Sequence, residues 1–182
     1  GTMGAGLAQI AAQAGFSVSF WNRKQTSVDK GLAAIKKGLG RLLAKEKISQ
    51  ADHDAALGRI RGVAALEDLK SADILLEAVP EDLETKRELY EKLHALCDEE
   101  VIFATNTSSL SVTALSAVSG RPTKFVGMHF FNPVPAMKLV EIVRGLETSD
   151  ATAQAVTDLA ERLDKVPVAV RDMPGFVVNR VV

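Results

Sequence analysis

The spacing of apolar residues changes period repeatedly along the chain, and each change marks an element. Residues 5–14 are small and apolar at helical spacing until Gly15 ends the run. Val18–Trp21 is aromatic and branched, as a strand prefers. Residues 30–47 predict a long helix, with Leu32, Ile35, Leu39 and Leu43 on one face and Lys30, Lys37, Arg41 and Lys45 opposite. A shorter helix follows at 50–57. Beyond it the pattern predicts strands near 60–63, at 73–79, at 101–105, at 125–130, near 140–143 and at 166–170. Helices at 81–96, near 112–118 and at 152–163 alternate with them.

Strands that are continuous apolar runs and alternate with helices predict a mostly parallel sheet covered on both faces. The expected class is therefore α/β, a Rossmann-type doubly wound fold. Composition adds little: 47% hydrophobic and 25% charged residues are ordinary for a globular domain of 182 residues. Charge excludes more. A formal net charge of −1 provides no basic field for nucleic acid. The apolar runs fall short of the roughly 20 residues of a membrane span, so no membrane partner is expected. The single cysteine, Cys97, rules out an internal disulfide framework, and its place among Leu89, Leu93 and Leu96 reads as a core thiol. No metal is expected.

Candidate chemistry begins at the first residue. Gly1-Thr2-Met3-Gly4 matches the last four positions of G-x-G-x-x-G, in which glycines let the backbone approach a pyrophosphate at a helix N-terminus. The first glycine and its strand are expected upstream of residue 1, so the chain reads as lacking its first strand. The strand at Val18–Trp21 ends at Asn22, where that fingerprint places an acid for the ribose hydroxyls. Three later segments stand out. Thr105-Asn106-Thr107-Ser108-Ser109 follows a buried strand and reads either as a binding crevice or as an N-cap run. His129 ends an apolar strand ahead of a Pro-rich turn and reads either as a core histidine or as a catalytic one. Glu141 is an acid among apolar strand residues, which must find a partner or hold its proton, and His129 is the natural candidate. A His–Glu pair suits alcohol oxidation, because the imidazole accepts the hydroxyl proton and the carboxylate stabilises the imidazolium.

Taken in order, GTMGAGLAQIAA, LLEAVPEDLETK, TNTSS, HFFNPVPAMKLVE and PGFVVNR resemble the L-3-hydroxyacyl-CoA dehydrogenase family, in particular its bacterial 3-hydroxybutyryl-CoA dehydrogenase-like branch. The resemblance implies reversible oxidation of a (3S)-3-hydroxyacyl-CoA to the 3-oxoacyl-CoA. His129 would be the general base, with Glu141 its partner. Ser108 would bond the substrate hydroxyl and touch the cofactor, and Asn179 would position substrate and histidine. Gly1, Thr2, Met3, Gly4, Asn22 and Arg23 would line the cofactor. Glu81 and Lys86 match the segment lining its nicotinamide half, and Asn106 and Asn132 would be secondary pocket groups. Lys45 and Lys47 would reach coenzyme A phosphates, unless that helix face is simply solvated. Residues 1–173 would form the dinucleotide-binding domain. Residues 174–182 would link it to a helical C-terminal domain that makes the whole protein a homodimer, in the cytoplasm.

One residue departs from the family, which carries Asp at the position of Asn22. An Asp there repels a 2′-phosphate; like charges at 4 Å cost about 4 kcal/mol at an intermediate dielectric. Asn22 removes that repulsion, and Arg23 offers a planar donor fork suited to phosphate. The cofactor is therefore NAD by family, with NADP suspected from Asn22-Arg23. Other readings are a sugar-acid (gulonate-type) dehydrogenase of the same superfamily and a non-catalytic nucleotide-binding remnant. Relatives of 6-phosphogluconate dehydrogenase are disfavoured, because the chain contains no Gly-Gly pair.

Overall fold

The computed structural model describes residues 1–173, 175 and 176. Of the helix start expected at 174–182 only Gly175 and Phe176 are described, and the candidate Asn179 lies outside the described residues. Two compact units are present, Gly1–Leu69 with 132–137, and Lys70–Phe131 with the residues from Lys138 onward.

The first unit runs α1 (Thr2–Gln13), β1 (Val18–Trp21), α2 (Gln25–Ala44), α3 (Gln50–Gly58), β2 (Ile60–Val63) and a 3₁₀ turn at Leu66–Leu69. β1 and β2 pair in parallel, Val18 opposite Ile60 and Trp21 opposite Val63. The alanine face of α1 (Ala5, Ala8, Ala12) packs with Phe20, Val28, Ile35, Leu39 and Ala56. Small residues let the helices approach closely, and at Gly31 a Cβ would overlap the Phe20 ring. α2 differs from its expected span at both ends. It starts earlier because buried Val28 extends the apolar stripe back by a turn. It stops at Ala44, with Lys45 as cap and Glu46 left-handed at φ 53°. α3 opens on a capping box in which Ser49 and Asp52 satisfy each other's backbone amides.

The second unit runs β3 (Ile74–Glu77), α4 (Leu83–Leu96), β4 (Ile102–Thr105), α5 (Val112–Val118), a 3₁₀ turn at Pro122–Lys124, β5 (Phe125–Phe130), β6 (Leu139–Arg144), α6 (Asp150–Arg162) and β7 (Val166–Arg171). Its five strands lie in the order β3-β4-β5-β6-β7. All pairs are parallel except β5 with β6, which no helix separates in sequence. Every residue of β5 is buried, His129 included among its apolar neighbours. Tyr90 stacks on Phe103 and meets Phe125 edge-on, tying α4 to β4 and β5. The class is α/β with mostly parallel, Rossmann-like strand pairing, as expected. Among the described residues the strands form two sheets, one of two strands and one of five. Among the described residues no helix is long and apolar enough to cross a membrane.

Candidate active site and nucleotide cavity

The antiparallel register of β5 and β6 sets His129 directly opposite Glu141. Cross-strand neighbours share a face, so the two side chains meet, Nδ1 to Oε2, at 2.7 Å. Both are buried, Glu141 at 1% exposure. The Phe131 and Phe176 rings pack on the imidazole with centroids 4.6 and 5.6 Å away. Asn106, just past β4, accepts the Phe130 amide through Oδ1 at 2.8 Å, which secures the end of β5 beside His129.

The turn after β4 is organised by Glu81. Its carboxylate accepts from the Thr107 hydroxyl, the Ser108 amide (2.7 Å), the Ser109 amide (3.0 Å) and the Ser109 hydroxyl (3.2 Å). Burial alone would raise its pKa, but the Thr107 hydroxyl, the Ser108 amide and the Lys86 ammonium outweigh that and hold it below the ordinary carboxylate range. Lys86 is fully buried. Its ammonium donates to both oxygens of Glu77 at 2.8 and 2.7 Å and lies 3.5 Å from Glu81. Glu77 also accepts from Tyr90 Oη (3.1 Å), Thr105 Oγ1 (2.8 Å) and the Val79 amide (2.6 Å). Lys86 thus stands behind the Thr107–Ser109 turn as its anchor. Glu77 was not singled out from the sequence, although it too is an acid beside apolar strand residues, the signal that identified Glu141.

The first unit contains a cavity of about 440 Å³. Gly1, Thr2, Asn22 and Asn132 of the expected cofactor residues line it, joined by Ser27 and Lys30 of α2. Met3, Gly4 and Arg23 are not among its lining residues. Gly4 faces the Phe20 ring instead, and Arg23 is exposed. Among the described residues no carboxylate lines the cavity. Asn22 Oδ1 accepts the Lys24 amide at 3.2 Å. α1 has no side-chain cap and no acid in its first turn, so its amides are suited to an anion. Lys45 and Lys47 are exposed at and beyond the end of α2, outside the cavity lining. Among the described residues no cluster of three His, Cys, Asp or Glu side chains could hold a metal ion.

Comparison with known proteins identifies the family. The family model for the NAD binding domain of 3-hydroxyacyl-CoA dehydrogenase matches residues 1–173. The 3-hydroxybutyryl-CoA dehydrogenase of Clostridioides difficile is 45% identical over 181 residues, covering 100% of this chain and 64% of that protein. The crystal structure of (S)-3-hydroxybutyryl-CoA dehydrogenase from Ralstonia eutropha superposes with a TM-score of 0.97 at 47% identity, covering 100% of this chain and 64% of that one. A fatty acid oxidation complex subunit alpha from Psychrobacter sp. (strain PRwf-1) is 40% identical but only 25% covered. The chain thus spans about two thirds of the dehydrogenases it matches and a quarter of the larger complex subunit. By sequence and by fold, the chain belongs to the 3-hydroxyacyl-CoA dehydrogenase family, in its NAD-binding domain.

Proposed function

We propose that the protein carrying this chain reversibly oxidises a (3S)-3-hydroxyacyl-CoA to the 3-oxoacyl-CoA with NAD(P), as the names of its relatives suggest. The observation that carries the reading is the buried 2.7 Å contact between His129 Nδ1 and Glu141 Oε2. With the carboxylate on Nδ1, the neutral ring keeps its proton there and offers Nε2 as the acceptor. Nε2 takes the substrate's hydroxyl proton, and Glu141 stabilises the imidazolium that forms. In the reverse direction the same nitrogen returns the proton to the 3-oxo oxygen. Ser108 sits on the turn held by Glu81 and bonds the substrate hydroxyl. Asn179 is assigned its positioning role from the family resemblance.

A bound nicotinamide supplies the hydride acceptor at the substrate carbon. The lining of the first unit's cavity suits a phosphate-bearing nucleotide: uncapped α1 amides, Asn22, Ser27 and Lys30, with no carboxylate. Asn22 turns its Oδ1 to the Lys24 amide, which leaves its N–H₂ as a donor. That arrangement favours a 2′-phosphate, so preference shifts toward NADP(H), with Lys30 rather than Arg23 as the cation on the cavity wall. Homodimerisation through a helical domain beyond residue 173, and a cytoplasmic location, belong to the same proposal.

The test is an assay of the intact protein on acetoacetyl-CoA with NADH and NADPH in parallel, wild type beside Asn22→Asp. Turnover is expected with NADPH preferred, and the variant should move preference toward NADH. No turnover with either cofactor would overturn the short-chain acyl-CoA assignment. An unchanged cofactor ratio in Asn22→Asp would remove Asn22 as the selector.

A further inference from the structure

Glu141 bonds one nitrogen of His129 but leaves the ring plane to be set by other contacts. Two aromatic rings supply them. Phe131 lies 4.6 Å from the imidazole centroid, tilted by 53°, and Phe176 lies 5.6 Å away, tilted by 58°. Both distances fall in the range of real aromatic pairs. Phe176 is 2% exposed. It is also left-handed, at φ 48°, directly after Gly175 at φ 76°. A bulky side chain is a genuine outlier in that region and persists only where its surroundings hold it.

The surroundings are identifiable. Asp172, just past β7, accepts from the Ser111 hydroxyl at 2.8 Å, the Val112 amide at 3.0 Å and the Thr113 amide at 2.7 Å, so the segment is pinned to the start of α5. The Phe176 amide then donates to the Met173 carbonyl at 2.8 Å, closing a turn. Burying an apolar ring does not require a left-handed backbone. Bringing this ring onto the imidazole from a segment tied at Asp172 gives the conformation a purpose.

We infer that Phe176, together with Phe131, is a positioning residue for His129. The two rings limit rotation of the imidazole, keep Nδ1 on Glu141 and hold Nε2 as the nitrogen available to substrate. This inference rests on His129 being the base, and its test separates the two claims. The intact wild-type protein is compared with Phe176→Ala and Phe176→Leu, measuring kcat, the KM for NADH and NADPH, and the ¹H–¹⁵N imidazole spectrum. The chain has three histidines, and loss of one signal set in His129→Gln assigns His129.

In Phe176→Ala, kcat is expected to fall about 10- to 100-fold, the scale of a small misplacement of a reacting group, with the cofactor KM unchanged. The His129 signals should lose their single Nδ1–H tautomer. Phe176→Leu, which restores apolar bulk, should recover most of both. An unaltered tautomer in Phe176→Ala would overturn the inference, whatever happens to kcat. If the wild type shows no turnover while the tautomer still responds to Phe176→Ala, the positioning role stands and the assigned reaction falls.

Discussion

A carboxylate ends or interrupts an apolar strand twice in the second unit, at Glu77 and at Glu141, and their partners separate two kinds of chemistry. Glu77 faces the Lys86 ammonium, together with a tyrosine, a threonine and a backbone amide. Both oxygens of such a carboxylate are taken up as acceptors within the fold. Glu141 faces His129, whose charge can change during a reaction. From that difference His129→Gln is expected to lower kcat by about 10²–10⁴, the usual worth of a general base. Glu141→Gln, which keeps a hydrogen-bonding side chain but removes the charge, should fall between that variant and wild type. Steady-state kinetics on acetoacetyl-CoA decides it, and a Glu141→Gln enzyme as fast as wild type would show that the carboxylate does not stabilise the imidazolium. The pairing was legible from the sequence, because an acid embedded in one apolar strand had a histidine near the end of another as its natural partner. The ring contact of Phe176 was not, since residues after Pro174 read as the opening of a helix.

Among the elements, α2 shows what periodicity conveys and what it omits. The stripe through Ile35 and Leu39 was read correctly, and both side chains are buried. The start was missed because Gln25, Thr26 and Ser27 are polar, and only the burial of Val28 reveals that the helix has already begun. The end was missed because Lys45 to Lys47 keep good helical propensity, while Glu46 leaves the helix through a left-handed conformation. Lys30 was placed only on the basic face opposite the apolar stripe, and it lines the cavity shared with Gly1 and Asn132, residues distant in sequence. No local period encodes that meeting. The glycines of this helix provide a test of the packing itself. A Cβ at Gly31 would overlap Phe20, whereas one at Gly40 meets nothing within 4 Å. Gly31→Ala is therefore expected to destabilise by about 1–3 kcal/mol through overpacking. Gly40→Ala should stabilise by up to about 1 kcal/mol through helix propensity. Urea midpoints of the two variants should move in opposite directions, and a shared direction would contradict the tight α2–β1 contact.

For the molecule as a whole, response to acid should be uneven between the two units. In the first, the lowered carboxyls Asp52 and Asp54 are fully exposed and contribute little. In the second, Glu81 and Asp172 are partly buried. Burial would raise Asp172, but the Thr113 amide and the hydroxyl and amide donors around it hold it low, as the Thr107 hydroxyl and Ser108 amide do for Glu81. A carboxyl lowered in the folded state binds fewer protons there than when unfolded, so stability rises with pH between the two values. The contribution is complete above the unfolded value, about 4 for a carboxyl, and disappears as pH falls through the lowered folded value. The unit formed by Lys70–Phe131 and the residues from Lys138 onward should therefore lose hydrogen-exchange protection first as pH drops below about 4. Asp172→Asn should be less stable than wild type at pH 7 and approach it near pH 3, because the difference between them is the charge that acid removes. Urea unfolding of both proteins across that range measures the convergence. A gap that stays constant with pH would mean that Asp172 holds the start of α5 by shape and neutral hydrogen bonding, with no contribution from its charge.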